Sequence, residues 1–398
     1  MNPSQTTTRA PRVLLLLDTR AWAGTESHVL TLARALNALG DGQEARVVEV
    51  SLAVPPNSPL WKRAADEGLR LVPIARRGEW DMATLAVLVR RLRRRATDVI
   101  HVHNGRTALW GALAVRLAGR GACVATHHFI EPAHAGRSGP KAALSNAVHS
   151  WIERQSAGHI AISRAVANAI EERGVLRGSQ ITIVPNGIDL APDANGTSAH
   201  ISEASADELP PELRGEVVCV ARLQKEKDVP TLVRAMARLN AHRSVPVRCV
   251  VAGEGDERAA IEEVIAREVG CNVALAGFTP HTAQMLRGAR VATLPSVAEP
   301  FGLALLEAMA QRVPVVAVNQ GGPAEIVVEG ETGLLVPPSD PDALARALGE
   351  LLDDPKRAAK MGEAGYGRLH ALYGSDRMAT GTLDVYRAAL NAGKSGEK

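Results

Sequence analysis

Short apolar runs rich in Val, Ile and Leu recur along the chain, separated by longer stretches in which apolar residues return every three or four positions. Residues 13–17 form an uninterrupted apolar run ending at Asp18, the pattern of a strand buried on both faces. A loop at 19–25 follows, and 26–39 read as an amphipathic helix with Val29, Leu32, Ala33 and Leu36 on one side. Runs at 47–52, 69–73, 99–103, 123–126, 160–163 and 181–184 extend the strand series, with helical patterns at 81–95 and 107–117 between them. Such alternation predicts βαβ units around a parallel sheet.

Residues 191–215 are rich in Ser, Ala, Pro, Asp and Glu without a sustained apolar period, which predicts a linker. The pattern then restarts. Strands are predicted at 217–220, 247–252, 273–276, 291–294, 313–318 and 333–336, with helices at 230–241 and 340–352. A last helix at 375–392 is long enough to cross back onto the first domain. The reading is α/β with two doubly wound domains, 1–195 and 196–375, and a returning C-terminal helix over 376–398.

The 398 residues, 46% hydrophobic and 22% charged, suffice for two cores. Apolar runs stay well short of a membrane span, and the polar first residues carry no apolar signal segment, so the expectation is a cytoplasmic protein. Four isolated cysteines, Cys123, Cys219, Cys249 and Cys271, read as small core hydrophobes without metal-ligand spacing. Charge is uneven: residues 1–195 carry 24 Lys and Arg against 16 Asp and Glu, and the remainder 22 against 27. Arg90, Arg91, Arg93, Arg94 and Arg95 cluster on the 81–95 helix, which suits either an anionic membrane surface or solvent beside a helix C-terminus. Eleven aromatics and no recognisable binding module speak against nucleic acid.

The chemistry concentrates at predicted strand ends, where open α/β sheets bind ligands. The β-like run at 289–295 leads into Glu299-Pro300-Phe301-Gly302-Leu303, where Pro300 predicts the first helical position. The amides of Phe301 to Leu303 suit a phosphate, Glu299 precedes them, and Glu307 follows about six residues into the helix. Two carboxylates flanking an anion site fit a molecule with hydroxylated groups on either side of a diphosphate. Arg222 and Lys227, after the first strand of the second domain, are placed to offset that negative charge. Gly253-Glu254-Gly255 and Gly277-Phe278 supply turns suited to a flat base or sugar, and the 319–323 loop, with Gly321, Gly322 and Pro323, offers further amides. In the first domain Gly24 either brings backbone near a ligand or serves a tight turn, and His103, His127 and His128 stand at strand ends.

These stretches, together with Ala23-Gly24-Thr25-Glu26-Ser27-His28 and Pro185-Asn186-Gly187-Ile188-Asp189, resemble the retaining GT-B glycosyltransferases of the group 1 / family 4 type, over nearly the whole chain. The resemblance implies two Rossmann-like domains facing across a cleft, with the acceptor on the N-terminal side and the nucleotide sugar on the C-terminal side. It implies that Arg222 and Lys227 bind the donor diphosphate, Glu307 the ribose hydroxyls and Glu299 the donor sugar. Gly302 and Leu303 offer amides, the Gly24 loop faces diphosphate or acceptor, and His128 stands near the reacting centre. Two departures stand out: Ala23 replaces the first of two usual glycines, and Asp228 replaces the glycine usual after the lysine.

The implied activity is transfer of a sugar from a nucleotide diphosphate to an acceptor hydroxyl with retained anomeric configuration, in bacterial cell-surface glycan or glycolipid synthesis such as lipopolysaccharide. No metal or other cofactor is expected, because no acidic metal motif is visible. The acceptor is a glycan or lipid-linked molecule, with peripheral contact to the inner membrane face through the arginine cluster. The alternatives are a nucleotide-sugar epimerase and a non-catalytic nucleotide-sugar-binding protein.

Overall fold

The computed structural model describes residues 9–19, 22–40, 47–75, 81–129, 140–190 and 209–395. The chain divides into two compact units, the first comprising 1–162, 166–187 and 375–398, the second 163–165 and 188–374. Most of the predicted linker, residues 191–208, lies outside the described residues.

In the first unit the order is β1 (Arg12–Leu16), α1 (Gly24–Ala38), β2 (Glu49–Val54), α2 (Pro59–Asp66), β3 (Leu71–Pro73), α3 (Met82–Arg93), β4 (Val99–Val102), α4 (Gly105–Ala118), β5 (Ala122–His127), α5 (Pro140–Gln155), β6 (Gly158–Ala161), α6 (Arg164–Glu172) and β7 (Ile181–Ile183). The strands form one parallel sheet in the order β3-β2-β1-β4-β5-β6-β7. Strand side chains alternate between faces, so the apolar run at β1 supplies two cores. Val13, Leu15 and Leu17 pack with Val29, Leu32 and Leu36 of α1, while Leu14 and Leu16 pack with Leu85, Leu88 and Leu92 of α3. Each such side chain taken from water is worth about 2 kcal/mol. The C-terminal helix α14 (Ser375–Ser395) completes the first core with Met378, Ala379, Leu383 and fully buried Tyr386.

The second unit runs β8 (Val217–Val220), α7 (Val229–Asn240), β9 (Cys249–Ala252), α8 (Arg258–Arg267), β10 (Val273–Gly277), α9 (Thr282–Gly288), β11 (Val291–Leu294), α10 (Leu303–Ala310), β12 (Val315–Val318), α11 (Pro323–Ile326), β13 (Gly333–Val336), α12 (Pro341–Asp353) and α13 (Pro355–Leu372). Its six parallel strands follow the order β10-β9-β8-β11-β12-β13. In both sheets the strand order reverses beside the first strand, between β1 and β4 and between β8 and β11, which places a ligand crevice at their carboxyl ends. All four cysteines are free and buried.

Two readings change, and one helix was not foreseen. The helix predicted from Pro300 begins at Leu303, because Gly302 takes φ +113° and interrupts the helical backbone. Gly24 is the first residue of α1 and not part of a loop. The helix α13, between the two expected at the C-terminus, was not legible because Gly362, Gly365 and Gly367 dilute its apolar period.

Candidate functional site

Each unit carries its own cluster of candidate side chains. In the second unit, three loops at the ends of β8, β9 and β10 lock together through backbone bonds. Leu223 donates to the Glu254 carbonyl at 3.0 Å, and Gly253 to that of Gly277 at 2.8 Å. A Cβ at Gly253 would lie 1.9 Å from the Ala221 oxygen, and one at Gly255 would lie 2.2 Å from that of Leu223. The glycines therefore let two loops close on each other; Arg222 lies on one of those loops.

Lys227 ends a single 3-10 turn, Lys225–Lys227, whose Glu226 carbonyl accepts from the Val297 amide at 2.9 Å. That bond brings Lys227 to the loop before α10, where its ammonium meets the Glu299 carboxylate at 2.5 Å. Arg222 joins neither carboxylate; it is half exposed and reaches Glu226 at 3.4 Å. Asp228 adopts the left-handed conformation at φ +45°, which explains a preference for glycine there. The aspartate is held by the hydroxyls of Thr231 and Ser339, at 2.9 and 2.8 Å.

Gly302 precedes α10, so the first amides of that helix, from Leu303, have no intrahelical partner. Phe301 is buried against Tyr373 and can offer a ligand only its backbone. The 319–323 loop does not present all its amides: Gly322 donates to the Glu299 carbonyl at 3.0 Å. A Cβ at Gly322 would lie 2.2 Å from the Phe301 backbone, so this glycine serves close packing that fixes the Glu299 loop. Glu307, on the second turn of α10, is partly buried, and burial pushes its carboxyl up to about 7. Phe278 is 62% exposed beyond β10, an aromatic face open to stacking.

In the first unit, histidines from three segments converge at the β1/β4 switch. His28 lies on α1, His103 follows β4 and His128 follows β5; all are buried. His103 Nδ1 and His128 Nε2 are 3.1 Å apart. Burial holds His103 and His128 well below the ordinary imidazole value, with neighbouring histidines adding to the shift. His28 is drawn down to about 4 by burial; Asn186 opposes this, although neither His28 nitrogen reaches hydrogen-bond geometry. Behind them His101 bridges Tyr386 and Thr126, both at 2.7 Å. His127 belongs to another pair: His159 Nε2 donates to the Glu153 carbonyl, so His159 Nδ1 accepts from His127 Nε2 at 3.1 Å. Gly24 lies next to Ala23, whose φ of −151° is ordinary extended backbone, so alanine there is unstrained.

A cavity of about 570 Å³ opens at the ends of β1 to β3, lined by Thr19, Pro55, Asn57, Ser58, Ile74 and Val87 among others. Sequence reading did not find it, because its walls come from three separate loops. His28 was legible in principle: it shares a helical face with Leu32 and Leu36, which turns it inward.

Residues 22–192 match the family description Glycosyltransferase Family 4, and residues 201–368 match Glycosyl transferases group 1. Glycogen synthase of Mycobacterium tuberculosis is 31% identical over 94% of this chain and 92% of its own length. Alpha-maltose-1-phosphate synthase of Mycolicibacterium smegmatis is 33% identical over 73% of this chain and 79% of its own. Among solved structures, Anabaena HepE in complex with UDP-glucose superposes with a TM-score of 0.75 at 19% identity, covering 94% of this chain and 98% of that one. This likeness shows the GT-B fold of two Rossmann-like domains.

Proposed function

The chain belongs to the group 1 and family 4 glycosyltransferases, and we propose that it moves a sugar from a nucleotide-diphosphate donor to an acceptor hydroxyl with retained configuration. The carrying observation is the second unit's cluster: Lys227 bonded to Glu299 beside the free amides that start α10, with Glu307 one turn further on. In this reading Lys227, Arg222 and the amides of Gly302 and Leu303 hold the diphosphate. Glu307 accepts the ribose hydroxyls, Glu299 the hydroxyls of the sugar, and Phe278 with the Gly253 loop flanks the base. His128 and the Gly24 end of α1 act at the sugar and acceptor. The acceptor oxygen bonds to the anomeric carbon as the bond to the diphosphate breaks, and the acceptor proton leaves with the diphosphate or to solvent.

Catalysis then rests on stabilising the diphosphate as charge develops and on positioning the acceptor, without a metal ion. The cavity beside β1 to β3 is assigned to the acceptor. Among the described residues no helix is long and apolar enough to cross a membrane. Exposed Arg90, Arg93, Arg94 and Arg95 support a lipid-linked acceptor at an anionic inner membrane face, in cell-surface glycan or glycolipid synthesis.

The test is a thermal-shift panel of UDP, GDP and ADP with their sugars, followed by transfer assays with the stabilising donor. A nucleotide at 100 times its dissociation constant stabilises by about 2.7 kcal/mol. One base should shift the transition, its sugar should be transferred with retained configuration by NMR, and EDTA should not lower the rate. A panel without any shift, or activity lost in EDTA and restored by metal, overturns the reading.

A further inference from the structure

We propose that His28, His103 and His128 form a binding site for one divalent transition-metal ion of the zinc class. Each can offer one ring nitrogen, and the three atoms lie within 4.8 Å of one another. The ring centroids are 4.7 Å apart for His28 and His128, 5.5 Å for His28 and His103, and 5.4 Å for His103 and His128. Only 4%, 1% and 7% of the respective residues is exposed.

Polar atoms buried this deeply almost always have partners. Among the described residues both ring nitrogens of His28 and Nε2 of His103 have none in hydrogen-bond geometry, Asn186 being the polar side chain that acts on His28. Three unpartnered nitrogens in one nook would each cost about 1–3 kcal/mol if nothing met them.

The donor set selects the ion. Three imidazoles, with no thiolate or carboxylate joining the cluster among the described residues, suit zinc, copper or nickel and not calcium or magnesium. Zinc bonds imidazole nitrogen at about 2.0–2.1 Å, so tetrahedral ligands stand roughly 3.4 Å apart. The present spacing of up to 4.8 Å has to close by about 1.4 Å to reach that value. His101 stacks behind His103, with ring centroids 4.2 Å apart, and is itself fixed by Tyr386 and Thr126, so the support of the site reaches α14. Three protein ligands leave a fourth position open to water or an anion.

A consequence follows that rests on the functional reading above. With His128 at the reacting centre, a bound ion occupies its nitrogen and blocks transfer. The site is inhibitory, which accords with chemistry that needs no metal.

The test uses untagged, metal-stripped full-length protein titrated with zinc by calorimetry and with cobalt(II) by visible absorption. One ion per chain with micromolar or tighter affinity is expected, weakened at least tenfold in both His28→Asn and His103→Asn. X-ray absorption of the zinc-loaded wild type, which depends on no variant folding, should show imidazole nitrogen and no sulfur. Absence of stoichiometric binding, sulfur in the first shell, or folded variants that bind as well as wild type overturns the site. Zinc should also slow transfer by the wild type more than by His28→Asn, each measured against its own metal-free rate. Stoichiometric zinc without inhibition overturns the inhibitory role and counts against His128 at the reacting centre, while the site itself stands on the binding arms.

Discussion

Lys227 and Glu299 face each other at 2.5 Å with 11% and 12% of their side chains exposed, so neither charge has water to fall back on. Removing one partner from such a pair leaves the other desolvated and alone. Lys227→Ala should therefore both slow transfer, by at least about 100-fold as for other lost charge-stabilising groups, and destabilise the second unit by about 3 kcal/mol. The two effects separate in a double variant. Lys227→Ala with Glu299→Gln leaves no lone charge, so chemical denaturation should show most of the stability restored while transfer stays lost. If the double variant regains transfer, the pair is structural only. The sequence already pointed to Lys227 and Glu299 because both follow apolar strands. It could not show that Arg222 turns to Glu226, since two basic residues five apart on a loop look alike until the loop is folded.

The cluster around Lys227 and Glu299 depends on loops packed so closely that side chains are excluded. Pro300 suggested a helix start, but the chain first has to bury Phe301 against Tyr373 and turn at Gly302, and only then does α10 begin. The glycines of the 319–323 loop suggested anion-binding amides; their spacing alone does not distinguish a backbone that meets a ligand from one that meets another backbone. Gly322→Ala tests the difference. Its φ of −58° suits alanine, so only the Cβ, 2.2 Å from Phe301, can do harm. The variant should lose about 1–3 kcal/mol and bind nucleotide more weakly, because the Glu299 loop must move. Gly367→Ala, on α13 with open space around its Cβ, should instead gain about 0.5–1 kcal/mol. Urea unfolding of both variants checks the pair; equal effects would remove the packing explanation.

The arginine-bearing helix α3 presents charge to its surroundings. Leu85, Leu88 and Leu92 of α3 are spent in the core, and Arg91 is tied to Thr97 and the Ala96 carbonyl. What remains for a membrane is charge, not an apolar face. Flotation with phosphatidylserine vesicles should therefore succeed at low salt, fail at high salt, and weaken by about 1 kcal/mol for each of Arg90, Arg93 and Arg94 changed to Gln. Flotation that ignores salt or lipid charge would remove the membrane contact from the functional reading.

Across the whole molecule, alternating apolar runs made both parallel sheets legible, because strands buried on two faces leave little choice of residue. The histidine cluster was only half legible, since positions 28, 103 and 128 meet through folding and not through spacing. Buried titratable groups give the two units opposite responses to pH. His28 titrates at about 4 when folded and near 6.5 when unfolded, and His159 likewise at about 4. The unfolded chain thus binds protons first as pH falls below 6.5, and the first unit loses up to about 1.4 kcal/mol per pH unit for each such histidine. Glu307 has the reverse sign: folded, it titrates at about 7, against 4.5 unfolded. Its protonated form is favoured in the fold, so its contribution to stability is full below pH 4.5 and lost as pH rises through 7. Glu307→Gln should therefore stabilise the second unit above pH 7, by at most about 3 kcal/mol, and change little near pH 4.5. The same variant should bind nucleotide more weakly, because an amide accepts two ribose hydroxyls less well than a carboxylate does. Calorimetric melting from pH 5 to 8, with and without nucleotide, checks both signs. A Glu307→Gln protein no more stable than wild type at pH 8 would mean that the carboxylate is not held at a cost in the folded state, and would leave ribose recognition without its physical signature.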